Sequence, residues 1–201
     1  MKYYVKQGPG NNEPSITLLP GDLVFVRENG VMARLIHIYE AIADRTGIPY
    51  EDLPNHVCVV GLAGTLVSAD PIGVIHRRLE RYFTPDRKVW RATNTRLANK
   101  TRLGIAGYAE SQVGKMYDFG GVLRFVAEPF VRWTGCLLPD WFPRPDPNKP
   151  FCSELAARAY YLNGYDFKCI KSAGCEACTP ADLLAECLCK KTWEVERIWP
   201  A

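Results

Sequence analysis

The sequence PFCSELAARAYYLNG at residues 150–164 predicts a helix with a cysteine in its first turn. Ala and Leu fall on one side of Phe151–Asn163 at helical spacing, and Gly164 ends the pattern. Cys152 therefore lies where unpaired backbone N–H groups and the positive end of the helix dipole stabilise a thiolate. We interpret Cys152 as a nucleophile. The alternative is an ordinary small buried side chain.

A cysteine nucleophile needs a base, usually a histidine that a third polar group orients. The sequence has three histidines, and none follows Cys152, so a pair that uses Cys152 has its histidine first. His37 lies on a predicted helix whose apolar face can absorb it, and His76 stands beside two arginines that disfavour an imidazolium. His56 begins a β-type run on which it shares a face with Cys58. His56 is the preferred base, and a structural role is its alternative.

The remaining patterns predict an α+β domain. The predicted strands are Leu23–Val26, His56–Gly61, Thr65–Ala69, Val89–Ala92 and Trp193–Trp199. The three strands between residues 56 and 92 are expected to form an antiparallel meander. The predicted helical segments are Met32–Arg45, Arg77–Tyr82 and Arg102–Val113. A last helix begins at Thr179, a good N-cap, and Pro180 suits its first position. Residues 1–17 are expected to be a flexible arm, and residues 18–201 a single domain.

Composition excludes several classes of protein. The chain has 201 residues, 47% apolar and 23% charged, with a net charge of +3, which argues against disorder and nucleic-acid binding. The sequence has neither a long apolar run nor a signal-peptide core, so we expect a soluble protein, cytoplasmic or otherwise, without integral membrane association. Eight cysteines are too few for a disulfide scaffold.

Residues 120–150 form a Pro- and Trp-rich insertion. We interpret it as a long ordered loop with a short helix near Val122–Ala127. Trp133, Trp141 and Phe142 offer apolar surface for one wall of a cleft, and Trp141 is a candidate substrate-binding residue. Capping of the core and binding of a protein partner are the alternatives.

The C-terminal part is rich in cysteine. Cys175 and Cys178 have the spacing of a metal knuckle, but the other closely spaced pair, Cys187 and Cys189, is Cys-x-Cys. We expect these cysteines to be ordinary thiols, and we therefore assign no metal or cofactor. A structural zinc site and a disulfide or redox role are the two alternatives.

The order of several short motifs carries a resemblance that no single motif carries. These motifs are Gly21–Phe25, Asn55–Val57, Val67–Val74, Gly114–Phe119, Phe151–Leu155 and Thr179–Leu183. As an ordered set over about residues 21–184, they resemble YiiX-like proteins, the circularly permuted branch of the NlpC-type papain-like cysteine peptidases and amidases.

The resemblance implies a permuted papain-like fold, in which a helix with the nucleophile packs on an antiparallel sheet with the histidine. It implies that Cys152 and His56 form a catalytic dyad. Tyr117 matches a tyrosine that lines the site in related enzymes, although a core aromatic is an equal alternative. Relatives typically carry glutamate or another polar residue where this chain has Ser68, which can orient an imidazole, and Asp70 at i+2 could supply the carboxylate.

The predicted function is a cysteine hydrolase that cleaves an amide or acyl bond through a thioester, with a peptide or acyl substrate. The resemblance implies cell-wall peptides as one substrate class. Two other functions stay open: a binding or structural module of the same fold that has lost catalysis, and a lipid acyltransferase or thioesterase with an apolar tunnel beside Cys152.

Overall fold

A computed structural model describes residues 3–5, 16–30, 33, 34, 36, 37, 39, 46–134, 138, 139, 142, 146, 148–175 and 178–200. Its strands are β1 Tyr3–Val5, β2 Ile16–Leu18, β3 Leu23–Arg27, β4 His56–Val60, β5 Leu66–Asp70, β6 Gly73–Arg77, β7 Lys88–Asn94 and β8 Trp193–Trp199. Its helices are α1 Asn99–Ser111, α2 Phe119–Thr134, α3 Cys152–Tyr161, α4 Lys168–Ala173 and α5 Pro180–Cys189. Two single turns of 3₁₀ helix cover Tyr50–Asp52 and Leu79–Tyr82.

Six strands form one antiparallel sheet in the order β6-β5-β4-β3-β7-β8. Because side chains alternate along a strand, the sheet has two apolar faces. Val57 and Val59 on one face pack in a cluster with helix residues that include Leu155. Cys58 and Val60 on the other face belong to a second cluster with Tyr82. The α+β class is therefore confirmed.

Helix α3 packs on β4 and β5. Its buried face is made of small residues, Ala156, Ala157 and Ala159, with Leu155. Small side chains let a helix approach a sheet closely, and this approach sets where the first turn of α3 lies. At the far end of the helix, the buried hydroxyl of Tyr160 donates a hydrogen bond to the carbonyl of Gly21.

The turn before β3 is held by a buried ion pair. Asp22 is fully buried, and its carboxylate accepts hydrogen bonds from Arg102 at 2.8 Å, from Thr93 at 2.8 Å and from the backbone N–H of Leu19 at 2.9 Å. Gly21 precedes it with φ +78°, and a Cβ there would stand 3.0 Å from the carbonyl oxygen of Arg102. The turn thus requires glycine both for its conformation and for space.

Several elements differ from the sequence-based expectation. Within the arm expected to be flexible, β1 pairs with β2, and Ile16 is buried against the sheet. The segment expected to be helical, Arg77–Tyr82, is helical only as a 3₁₀ turn over Leu79–Tyr82, because Arg77 is the last residue of strand β6, which pairs with β5. Strand β7 pairs with β3, so the strands from 56 to 92 are not a simple meander.

The insertion also differs from the expected long loop with a short helix, because its helix α2 covers 16 residues. Asp118 precedes this helix, and its carboxylate accepts from the N–H of Gly121 at 2.8 Å, as an N-cap does. The same carboxylate accepts from the N–H of Asp146 at 2.8 Å, so it joins the two ends of the insertion. Most of the prolines that suggested a loop follow the helix.

Replacement of Asp22 by Asn tests the buried ion pair. Asp22→Asn keeps the side-chain volume but leaves the buried guanidinium of Arg102 without a counter-charge, which costs about 3–5 kcal/mol. We expect the free energy of unfolding in urea to fall by about that amount. Glu194→Gln on β8, an exposed carboxylate, is the control and should leave the unfolding midpoint unchanged. Equal effects of the two substitutions would contradict a special role for Asp22.

Candidate active site

Cys152 is the first residue of α3 and is 3% exposed. The preceding residue, Phe151, has extended backbone angles and provides no side-chain cap. The first N–H groups of this helix therefore remain available near the thiol, as the sequence predicted. Cys152 lines a pocket of about 340 Å³.

His56 is the first residue of β4, is 7% exposed and lines the same pocket. Cys152 lies near enough to raise the pKa of the His56 ring. Nε2 lies 2.8 Å from Ser68 Oγ and 3.4 Å from Cys58 Sγ. The two residues selected from the sequence, nearly a hundred positions apart, thus line one pocket.

Ser68 and Asp70 act in series behind the ring. Ser68 Oγ donates a hydrogen bond to Asp70 Oδ1, which itself lies 3.5 Å from His56 Nε2. Asp70 Oδ2 accepts two hydrogen bonds from the guanidinium of Arg77, at 2.7 and 2.6 Å. Because Ser68 uses its proton on Asp70, its oxygen is free to accept from a proton on Nε2.

This arrangement sets the charges of the site. Burial lowers the pKa of His56, but the neighbouring Cys58, Tyr82 and Cys152 raise it more, so the pKa lies well above 6.5. Burial raises the pKa of Asp70, but His56, Ser68 and Arg77 together hold it below 3.8. The Asp70 carboxylate, 3.5 Å from Nε2, favours the charged form of the His56 ring.

Tyr117 combines both roles that the sequence left open. It is 8% exposed, packs in the core cluster on the helix side of the sheet and also lines the pocket. Its ring meets that of Phe119 edge to face, with centroids 5.1 Å apart. Burial and then the nearby Cys152 raise its pKa above 10, so the phenol stays protonated at neutral pH.

The proposed cleft wall from the insertion is only partly described. Trp141 lies outside the described residues, and for Trp133 the description covers the backbone alone, within α2. Phe142 is half-buried. The pocket lining, as far as the structure describes it, contains no residue from 120–150.

Three site residues escaped the sequence analysis. Cys58 and Tyr82 both approach the His56 ring, and Arg77 fixes Asp70. The shared strand face of His56 and Cys58 was a usable signal for the first. Arg77 was assigned to a helical segment but ends strand β6, and Tyr82 ends a 3₁₀ turn whose approach to His56 no sequence pattern indicated.

The other two histidines are engaged elsewhere. His37 Nε2 lies 3.0 Å from the carbonyl oxygen of Leu53 and 3.2 Å from the Arg27 guanidinium. Burial and Arg27 lower the pKa of His37 below 6.5. His76 is half exposed and pairs with Glu110 at 2.6 Å.

In the cysteine-rich part, Cys169 and Cys178 form a disulfide, so the expectation of ordinary thiols is wrong for this pair. Cys175 and Cys187 are buried and lie outside this disulfide, and Cys189 is exposed. Within the described ranges, no group of three or more His, Cys, Asp or Glu side chains is arranged to hold a metal ion. In the same ranges, no helix combines the length and apolarity needed to cross a membrane.

Comparisons with known proteins show similarity of structure but not of sequence. No protein-family model matches this sequence, and no curated protein matches it. The fold is similar to the crystal structure of metalloprotein yiiX from Escherichia coli O157:H7, with a TM-score of 0.48 and 14% identity, over 72% of this chain and 66% of that chain. The predicted resemblance to YiiX is confirmed at this level of structure, and no activity follows from it.

The charges of the site can be tested by NMR titration of the three histidines. We expect His56 to titrate above 6.5 and His37 below it. Asp70→Asn should lower the pKa of His56, because it removes a carboxylate 3.5 Å from Nε2 that favours the imidazolium. The pKa of His37 serves as the control and should not move. A His56 pKa at or below 6.5 in the native protein would contradict the assignment.

The hydrogen bond from His56 to Ser68 predicts a tautomer. In the neutral ring the proton should reside on Nε2, which donates to Ser68 Oγ. We expect Ser68→Ala to weaken this preference, since the ring then loses its nearest acceptor. The ¹⁵N chemical shifts of the two ring nitrogens above the pKa measure the tautomer directly. A ring that is protonated on Nδ1 in the native protein would refute this arrangement.

Proposed function

We propose that the chain is a cysteine hydrolase, a peptidase or amidase, with Cys152 as nucleophile and His56 as base and acid. The observation that supports this most strongly is that both side chains line one pocket, with Cys152 at the start of a helix and the His56 ring close to Ser68 and Asp70. A buried cysteine that only packs needs no basic partner beside a cavity.

The mechanism uses both nitrogens of the His56 ring. Nε2 is engaged by Ser68 and Asp70, which leaves Nδ1 for the thiol of Cys152. Proton transfer to Nδ1 gives a thiolate and an imidazolium, and the Asp70 carboxylate favours the imidazolium. Ser68 is in this sense a positioning residue, and Asp70 supplies the charge that Ser68 cannot.

The thiolate attacks the carbonyl carbon of an amide or acyl bond, and the oxyanion accepts hydrogen bonds from the N–H of Cys152 and a neighbouring donor. His56 then protonates the leaving group as the tetrahedral intermediate collapses to a thioester. Water, activated by the neutral ring, hydrolyses the thioester and restores the thiol. Tyr117, protonated and beside Cys152, contributes a wall of the pocket.

The permuted papain-like arrangement belongs to the same proposal. The sheet supplies the histidine first in the chain, and the helix supplies the cysteine later. Cell-wall peptides are the substrate class that the sequence resemblance suggests. The described lining includes Glu28 and three arginines, a polar surface unlike the apolar tunnel of a lipid acyltransferase.

Alkylation of the cysteines by iodoacetamide tests the dyad without a known substrate. We expect Cys152 to react at pH 6 faster than any other cysteine, because the charged His56 ring beside it stabilises the reactive thiolate, whereas fully buried Cys58 does not line the pocket. His56→Ala should slow the alkylation of Cys152 about 100-fold or more. Peptide mass spectrometry over a pH series gives the rate at each site.

His76→Ala is the matched control, since it removes a histidine that pairs with Glu110 outside the pocket. Its alkylation profile should equal that of the native protein. Reaction of Cys152 that is no faster than that of the other thiols, or is insensitive to His56→Ala, would favour a binding module of the same fold. Circular dichroism of each variant ensures that altered rates do not reflect unfolding.

A further inference from the structure

The pocket beside Cys152 has a strongly basic wall. Arg77, Arg81 and Arg87 line it, and they come from the end of β6 and from the segment around the 3₁₀ turn Leu79–Tyr82. Such a concentration of arginine is not required by the hydrolytic mechanism, which uses only Arg77, through Asp70. The other two arginines therefore call for a separate explanation.

Two of the three arginines are already neutralised. Arg77 pairs with Asp70 at 2.6 Å, and Arg87 pairs with Glu28 at 3.2 Å. Asp70 and Glu28 are the only carboxylates in the lining that the structure describes. Each carboxylate of the described wall thus has its own arginine.

Arg81 remains as the cation in excess. Its side chain is exposed at the pocket, and none of the described carboxylates lies within ion-pair distance of its guanidinium. Arg87 lies beside it and donates a hydrogen bond to the Arg81 carbonyl at 2.9 Å. Nε of Arg87 is buried and has no acceptor among the described atoms. The described wall therefore offers one guanidinium, that of Arg81, without a carboxylate partner.

We propose that the pocket binds a substrate with an anionic group, a carboxylate or a phosphate, close to the bond that is cleaved, and that Arg81 binds this group. This inference rests on the proposed function, because it specifies the substrate of the same Cys152 site. Arginine suits the role since its planar guanidinium binds carboxylate and phosphate oxygens in a bidentate manner.

Matched alkylating reagents test the inference. N-Iodoacetylglycine carries a carboxylate, and N-iodoacetylglycinamide is its neutral counterpart of equal length. In both reactions the Cys152 sulfur displaces iodide and forms an S–C bond, while the thiol proton passes to His56. The measured quantity is the ratio of the two alkylation rates at Cys152, which cancels the intrinsic reactivity of the thiol. A phosphonate reagent, N-iodoacetylaminomethylphosphonate, gives a second ratio against the same neutral reagent.

We expect Arg81→Gln to lower the ratio for at least one anionic reagent about threefold to fivefold at low ionic strength, in line with an exposed ion pair. The loss should shrink at high salt, because ions screen exposed charges. Arg78→Gln is the control, since Arg78 is an exposed arginine three residues earlier that does not line the pocket. A larger loss with the carboxylate reagent identifies carboxylate-bearing substrates, and a larger loss with the phosphonate reagent identifies phosphate-bearing ones.

Ratios that are unchanged in Arg81→Gln, or that fall equally in Arg78→Gln, would overturn the inference. The failure of the proposed function gives a different result: the rate with the neutral reagent would then be insensitive to His56→Ala. The two outcomes are independent. One is the ratio of two alkylation rates in an arginine variant, and the other is a single alkylation rate in a histidine variant.

Discussion

The site depends on how closely helix α3 lies against the sheet. Ala156, Ala157 and Ala159 form much of its buried face, and Tyr160 fixes its last turn to the carbonyl of Gly21. These contacts determine where the first residue of the helix, Cys152, meets the end of β4. A bulkier side chain at one of the alanines would move the helix away from the strand, and the thiol would separate from the imidazole even though no site residue had changed.

Behind the His56 ring, two short side chains take the place of one longer one. Relatives were expected to carry a glutamate or another polar residue there, and this chain has Ser68 with Asp70 behind it. The serine fills the gap to the ring, the aspartate provides the negative charge, and Arg77 holds the aspartate in place. The sequence analysis treated Ser68 and Asp70 as alternatives, whereas the geometry connects them in series.

Local patterns in the sequence were sufficient for the elements that carry the site. The alternation from His56 and the helical spacing from Cys152 predicted β4 and α3 almost to the residue. The partners Arg77 and Tyr82 were not predicted, because their approach depends on the pairing of β5 with β6 and on the turn after it, which no local pattern encodes. The pairing of Cys169 with Cys178 was equally inaccessible, since spacing alone allows several connections among five cysteines.

Asp118 has a consequence for how this fold tolerates change. Its carboxylate accepts hydrogen bonds from the N–H groups of Gly121 and Asp146, so the two ends of the segment between these residues lie close together, next to Tyr117. The entropy of closing such a segment grows only with the logarithm of its length. Residues added after helix α2 would therefore cost little in closure entropy, whereas the helix itself, with Val122 in the core, would not tolerate deletion. The part of the segment after α2 is thus a suitable place to graft a reporter or an affinity tag.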